Sequence, residues 1–145
     1  MTGFTHSFRV RYSEVDAQAV VFNSRYLEYA DVLVSAFFRD RGIGAASEND
    51  IEFHVARAEV NYRRPFGVDD MIVGCLNIVR FGNSSMVMRI ELRHQDDPAD
   101  AAPRTEIELT SVHIDRPGGS PQRIPDEVRA KLSGEAVTDA EGTPA

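Results

Sequence analysis

The chain has 145 residues and a mass of 16.1 kDa, a size that fits one domain with a buried core. Hydrophobic residues make up 42% and charged residues 27%, as in globular proteins, and no apolar run of about 18 residues or more is present to span a membrane. The net charge of -7 disfavours general nucleic-acid binding, which requires a basic face.

The single cysteine, Cys75, lies in the apolar run MIVGCLNIV, which predicts that it packs in the core. One cysteine cannot form an internal disulfide. Cysteine usage therefore fits a reducing cytoplasm and predicts a cytoplasmic protein.

The first two elements in chain order are predicted to be a strand and a long helix. In FTHSFRVRY, apolar and aromatic residues alternate with polar ones, which predicts a strand. In NSRYLEYADVLVSAFFRDRG, a helix of roughly 18 residues is indicated by apolar residues at helical spacing, namely Leu27, Ala30, Val34 and Phe37. Asn23 or Ser24 can cap its start, and Gly42 ends it.

Beyond Asp50 the pattern changes to that of strands. EFHVARAEVNYRR, MIVGCLNIVRF, SSMVMRIELRH and RTEIELTSVHID are predicted strands, the second of them buried on both faces. DEVRAKL, after Pro125, is predicted to be a short helix. One strand, one long helix and four further strands predict an α+β fold in which an antiparallel sheet wraps around one long central helix.

The predicted fold occupies residues 1–133 as a single domain. Residues 134–145 lack apolar periodicity and are predicted to be a disordered tail. A sheet with a single long helix leaves another surface or edge to cover, so dimerisation is expected.

Asp16 precedes the almost uncharged run AQAVVF, which leads to the predicted helix start at Asn23. A turn between strand and helix would explain this residue without any chemistry. Alternatively, the run places the carboxylate beside apolar surface, and the helix start supplies free backbone N–H groups nearby. An acid that acts as base or nucleophile, beside amides that hold an oxyanion, is what acyl transfer requires. Glu14 is a second acid, which strand alternation places on the same side as Asp16.

The four histidines stand singly in the sequence. None has the spacing of metal ligands, and one cysteine cannot build a zinc site, so no metal is expected. His6, His94 and His113 are predicted to lie on strand surfaces. The absence of a G-x-S-x-G motif and of a glycine-rich phosphate loop disfavours a Ser-His-Asp hydrolase.

Two residue pairs are candidates for contact with a phosphorylated ligand. Arg63 and Arg64, before Pro65, are either a solvated strand end or a phosphate contact. Ser84 and Ser85 are either a simple turn or a loop whose hydroxyl and amide groups contact a phosphate or pantetheine.

The stretch RVRYSEVDAQAVVFNSRYLEYAD resembles the opening signature of hotdog-fold acyl-CoA thioesterases, in particular the 4-hydroxybenzoyl-CoA thioesterase-like branch. That branch passes from an aromatic strand end to an acid, then through D-x-x-G-x-V to a tyrosine early in the helix. VNYRRPFGVDDMIVG is similar to the V-x-Y-x-x-P segment of the family, FGNSSMVMRIEL to its G-x-S-S strand opening, and RIPDEVRAKL to its closing helix. The matches follow the order of the family over residues 8 to 132.

The resemblance implies a hotdog fold, a homodimer or dimer of dimers, and active sites at the subunit interface. It implies that Asp16 is the catalytic nucleophile or base, and that the backbone N–H of Asn23 polarises the thioester carbonyl. The implied substrate-binding residues are Val20, Phe22, Tyr26, His54 and Val55, and the implied CoA contacts are Arg63, Arg64, Ser84 and Ser85. Neither a metal nor an organic cofactor is implied.

Two positions depart from the pattern of the family. Ala19 stands where glycine is usual, and alanine restricts φ and adds a methyl group near the acyl moiety. Relatives often carry His or Tyr at the position of Asn23; a backbone donor survives that change, whereas a side-chain role does not.

The leading hypothesis is a cytoplasmic acyl-CoA thioesterase that hydrolyses the thioester through Asp16. An alternative is a non-catalytic hotdog module that binds acyl-CoA or an acyl carrier protein, which the alanine at position 19 supports. A dehydratase acting on acyl thioesters is a third reading. It is disfavoured because that chemistry requires a histidine near the helix start, and none lies between His6 and His54.

Overall fold

The computed structural model describes residues 3–44, 51–115 and 118–134. Its elements in chain order are β1 (Phe4–Arg9), α1 (Arg25–Asp40), β2 (Phe53–Tyr62), β3 (Met71–Phe81), β4 (Ser85–His94), β5 (Thr105–His113) and α2 (Asp126–Leu132). A short 3-10 turn, Tyr12–Glu14, follows β1. Each element predicted from the sequence is present, with ends that shift by a few residues. Within the described ranges, no helix is long and apolar enough to cross a membrane.

The five strands form one sheet in the order β1-β3-β4-β5-β2. β1 pairs with β3 in antiparallel register, with Phe4 opposite Leu76. His113, the last residue of β5, donates its N–H to the carbonyl oxygen of Ser84, which directly precedes β4. Strands whose end meets the start of a neighbour run antiparallel. The predicted α+β class with an antiparallel sheet is therefore confirmed.

Helix α1 has 16 residues, compared with the roughly 18 predicted. It ends as predicted, since Gly42 adopts the left-handed conformation with φ of 76°. Leu33 is fully buried on its inner face, and a Cβ atom on Gly74 of β3 would lie 2.6 Å from Cδ1 of Leu33. Glycine at position 74 therefore allows helix and strand to approach closely. That the sheet wraps around one long central helix stays a prediction.

Two details of burial differ from the sequence prediction. β3 is not buried on both faces along its whole length, because it is buried from Gly74 to Leu76 but Val79 is 47% exposed. His113 is buried, although the sequence predicts it on a strand surface. It lies in phase with the buried Ile107 of β5, a strand flanked on both sides by others, and its ring packs on Phe53.

The chain divides into two compact units. The first contains residues up to Ala36 together with Glu59–Asn77 and Arg89–Glu108, and its core includes Val10, Tyr29, Leu33, Phe66, Ile72, Leu76, Ile90 and Leu92. The second contains Phe37–Ala58, Ile78–Met88 and residues from Leu109 onward, and its core includes Phe37, Met86, Met88, Leu109, Ile124 and Leu132. The single domain over residues 1–133 stays a prediction, and the predicted tail lies, from residue 135 on, outside the described residues.

Candidate active site

Asp16 lies in a tight turn between β1 and α1. Its N–H donates to the carbonyl oxygen of Val20 at 2.9 Å, and its Oδ1 accepts the N–H of Gln18 at 2.8 Å. Its side chain is half-buried, and among the described residues its Oδ2 has no hydrogen-bond partner. Asp16 thus stabilises a turn through one carboxylate oxygen and keeps the other available.

The Asp16 turn is attached to the segment that precedes β3. Val20 pairs with Gly67 in an isolated antiparallel bridge, and the N–H of Val21 donates to the carbonyl oxygen of Phe66 at 2.9 Å. The N–H of Gly67 in turn donates to Oδ2 of Asp70 at 2.7 Å. Backbone pairing therefore holds the turn against a segment about 50 residues away in sequence.

Glu14 does not share the environment of Asp16, although strand alternation predicts that the two acids lie on the same side. The chain leaves the extended conformation in the 3-10 turn, so Glu14 turns inward and is only 4% exposed. Its carboxylate accepts hydrogen bonds from the N–H and guanidinium of Arg11, at 2.8 and 2.9 Å, and from the hydroxyl of Tyr29, at 2.8 Å. Burial alone would raise the pKa of Glu14, but these bonds outweigh it and lower that pKa.

The start of α1 presents two unpaired backbone donors. The N–H of Phe22 donates to the carbonyl oxygen of Glu14 at 3.0 Å, and that of Arg25 to the carbonyl oxygen of Phe22 at 2.9 Å. Between them, the N–H groups of Asn23 and Ser24 have no hydrogen-bond partner in the part of the chain that the structure describes. Both residues are exposed, so these donors are accessible to a ligand.

A cleft of about 360 Å³ opens beside these donors, lined by Val21, Asn23, Tyr26, Tyr62, Arg63, Arg64 and Pro65. Tyr26 is buried, and burial raises the pKa of its hydroxyl. The ring of Tyr62 meets that of Tyr26 edge-on, with centroids 5.2 Å apart. The hydroxyl of Tyr62 donates to the carbonyl oxygen of Asn23 at 3.0 Å. The cleft therefore combines aromatic walls with polar groups from the helix start.

The two arginines of the cleft are each paired with an acid. A guanidinium nitrogen of Arg63 lies 3.0 Å from Glu106, and one of Arg64 lies 3.5 Å from Asp97. Both arginine side chains are 45% exposed, so solvent and ligands can still reach them. An anionic group in the cleft would compete with these acids for the guanidinium donors.

The structure brings together four of the predicted site residues: Asn23, Tyr26, Arg63 and Arg64. Asp16 does not line the cleft, although its turn directly precedes the helix start. Val20 is half-buried in that turn, and Phe22, next to Asn23, is 48% exposed.

The other four predicted residues belong to the second unit. His54 is exposed and its Nε2 lies 2.7 Å from Oε2 of Glu52, while Val55 is 61% exposed on β2. Ser84 and Ser85 are half-buried at the β3–β4 hairpin, and their carbonyl oxygens accept backbone N–H groups. None of the four contributes to the cleft described above.

Sequence reasoning missed three residues of the cleft: Val21, Tyr62 and Pro65. Tyr62 lies in the segment VNYRRP that carries part of the family resemblance, so the signal was present in the sequence. The period-two pattern of β2 does not reveal, however, that this tyrosine reaches the start of α1, 39 residues earlier.

Comparison with known proteins places these features in a family. A model of the thioesterase superfamily matches residues 18–101. A candidate esterase of Aquifex aeolicus is 30% identical over 77 residues, which are 52% of this chain and 60% of that relative. The chain thus matches less than two thirds of the length of this curated relative.

Solved structures share the fold over most of the chain. A candidate thioesterase of Pseudomonas aeruginosa is 26% identical with a TM-score of 0.77, covering 88% of this chain and 96% of the other. A 1,4-dihydroxy-2-naphthoyl-CoA thioesterase of Synechocystis has a TM-score of 0.80 at 13% identity, covering 90% and 96%, and shows a likeness of fold alone. The family match extends over more than half of the sequence and includes the helix start and the strands around the cleft. The chain therefore belongs to the thioesterase superfamily, with the hotdog fold that its sequence resembles.

Proposed function

We propose that this protein hydrolyses acyl-CoA thioesters to a free acid and CoA. The observation that carries the proposal is the pair of unpaired N–H groups at Asn23 and Ser24, beside an open cleft in a member of the thioesterase superfamily. Preorganised donors of this kind stabilise the oxyanion that develops when a thioester carbonyl is attacked. The turn immediately before them carries Asp16, whose Oδ2 is available.

In the proposed reaction, the N–H of Asn23 donates to the thioester carbonyl oxygen. Asp16 accepts a proton from water as the water oxygen forms a bond to the carbonyl carbon. The C–S bond then breaks, and the CoA thiolate takes up the proton from Asp16, which regenerates the carboxylate. Alternatively, Asp16 attacks the carbonyl carbon itself, the C–S bond breaks with CoA as the leaving group, and water hydrolyses the resulting mixed anhydride to the free acid and the Asp16 carboxylate. Neither route requires a metal or an organic cofactor.

The remaining predicted contacts belong to the same proposal. The acyl group contacts Val20, Phe22, Tyr26, His54 and Val55, and CoA contacts Arg63, Arg64, Ser84 and Ser85. The proposal also includes a sheet wrapped around one long central helix, and a homodimer or dimer of dimers with active sites at the subunit interface. The sequence resemblance to acyl-CoA thioesterases supports a CoA ester as substrate, and the cysteine usage supports a cytoplasmic location.

The central test replaces Asp16 with Asn and measures release of free CoA from a panel of aromatic, short branched and medium-chain acyl-CoAs. We expect kcat to fall by about 100-fold or more, because a positioned acid–base group typically contributes that much. Asp31→Asn, an exposed acid of α1, is the matched control and should leave turnover unchanged. Near wild-type turnover by Asp16→Asn would remove Asp16 from the mechanism.

A non-catalytic module that binds acyl-CoA or an acyl carrier protein is the second candidate function. It is favoured by the fact that Asp16 does not line the cleft and uses its Oδ1 to accept the N–H of Gln18. Calorimetric titration with the same panel of acyl-CoAs measures binding and so distinguishes the thioesterase from the binding module. Tight binding of a CoA ester with no hydrolysis of any panel member would favour the module.

A further inference from the structure

We propose that Tyr62 is a positioning residue for the reaction, and that its hydroxyl holds the Asn23–Ser24 peptide so that the N–H of Ser24 acts as a second oxyanion donor. The inference rests on the proposed function, which names the pair of donors at Asn23 and Ser24 but uses only the N–H of Asn23 to bind the thioester carbonyl oxygen. Tyr62 lies on β2, in the same compact unit as the helix start. The contact therefore joins two elements at the edge of the cleft.

The geometry identifies which peptide is held. The carbonyl oxygen of Asn23 accepts the hydroxyl of Tyr62 at 3.0 Å and the N–H of Tyr26 at 3.4 Å. In a planar trans peptide, the N–H points opposite to the carbonyl, so these bonds fix the direction of the N–H of Ser24. The neighbouring peptide is held in the same way, because the carbonyl oxygen of Phe22 accepts the N–H of Arg25.

Two features suit the Tyr62 hydroxyl to this role. Its ring packs edge-on against the buried Tyr26 with an interplanar angle of 82°, which restricts where the hydroxyl can lie. A hydrogen bond to a peptide carbonyl also polarises the N–H of the same peptide, which strengthens it as a donor. Without the Tyr62 bond, the carbonyl oxygen of Asn23 would keep only the N–H of Tyr26, at 3.4 Å, among the described residues.

The test removes the hydroxyl and retains the ring. For Tyr62→Phe, we expect kcat/KM to fall about threefold to tenfold, the size expected for the loss of one hydrogen bond that orients a donor toward the carbonyl oxygen. Tyr12→Phe is the matched control, because it makes the same change at a side chain that is 84% exposed. Thermal unfolding of both variants should resemble that of the wild type.

A pair of substrate analogues distinguishes a positioning role of Tyr62 from a direct contact between its side chain and the substrate. One is a CoA ketone, in which CH₂ replaces the thioester sulfur and the carbonyl remains; the other is a thioether, in which CH₂ replaces the carbonyl. Both carry the acyl chain that the panel identifies as best. We expect Tyr62→Phe to weaken binding of the ketone severalfold and to leave thioether binding unchanged, because only the ketone uses the donors.

The outcomes distinguish this inference from the proposed function. If Tyr62→Phe matches Tyr12→Phe, or weakens both analogues equally, while Asp16→Asn still abolishes turnover, the positioning role is wrong and the thioesterase stands. If Asp16→Asn retains turnover, the proposed mechanism fails, whatever Tyr62→Phe does.

Discussion

Ala19 adopts a left-handed backbone conformation, with φ of 66°, and lies at the tip of the turn that carries Asp16. Among the described residues, the only other non-glycine residue with positive φ is Asp69. An L-residue in this region suffers contacts between its Cβ and the backbone that glycine avoids. The glycine of the D-x-x-G-x-V pattern that the sequence resembles would therefore suit the turn itself. The Ala19 side chain is exposed and does not line the cleft, so the methyl group does not narrow it.

Ala19→Gly should raise the free energy of unfolding by about 1 kcal/mol, because it relieves the strain of the left-handed conformation. Urea denaturation measures the change. Ala17→Gly is the control: Ala17 is exposed in the same turn and lacks positive φ, so glycine there should be neutral or destabilising. Equal effects at both positions would contradict the strain argument.

At the scale of the elements, an ion pair organises the connection between β4 and β5. The guanidinium of Arg104 binds both carboxylate oxygens of Asp97 at 2.9 Å, and it also donates to the carbonyl oxygen of Pro65 at 2.8 Å. Its plane lies over the ring of Phe66, 5.3 Å from the centroid. One side chain thus ties the β4–β5 connection to the segment that pairs with the Asp16 turn.

Asp97→Asn should lower the free energy of unfolding by about 1 kcal/mol at neutral pH. The hydrogen bonds from Arg104 lower the pKa of Asp97 from 3.8 to about 2. Because the folded-state pKa is the lower one, the stabilisation is complete above pH 3.8 and is lost as the pH falls toward 2. The free energies of unfolding of the wild type and the variant, measured by urea denaturation, should therefore converge as the pH falls. Asp100→Asn, at an exposed acid of the same connection, should show no such difference.

At the scale of the whole molecule, β2 occupies one edge of the sheet, and eight of its ten residues are exposed. Val55, on this strand, is 61% exposed. Exposed edge strands with apolar residues are commonly covered by a partner. This arrangement agrees with the expectation of a homodimer or a dimer of dimers.

Light scattering in solution should therefore give a mass of two or four times the 16.1 kDa of the chain. Val55→Lys should shift the protein toward the monomer, because it would bury a charge in the interface. Val79→Lys changes an exposed valine of β3 in the same way and should leave the mass unchanged. A monomeric wild type would contradict the proposed assembly.

The sequence by itself determined the order and type of the elements, because alternation and helical spacing are local properties of the chain. It also placed Asp16 in the turn before the helix start at Asn23, since these residues are close in sequence. It singled out Ala19 as the departure from the family pattern, but the positive φ that explains it is a property of the folded turn.

Only the tertiary structure decided which side chains share an environment. Glu14 is buried because the 3-10 turn breaks the strand alternation, and the ring of the buried His113 packs on Phe53 of β2. Tyr62 reaches Asn23 across 39 residues of sequence, and both residues line the cleft. Periodicity reports which face of an element is apolar, whereas contacts between distant elements arise from the packing of the whole chain, which no local pattern encodes.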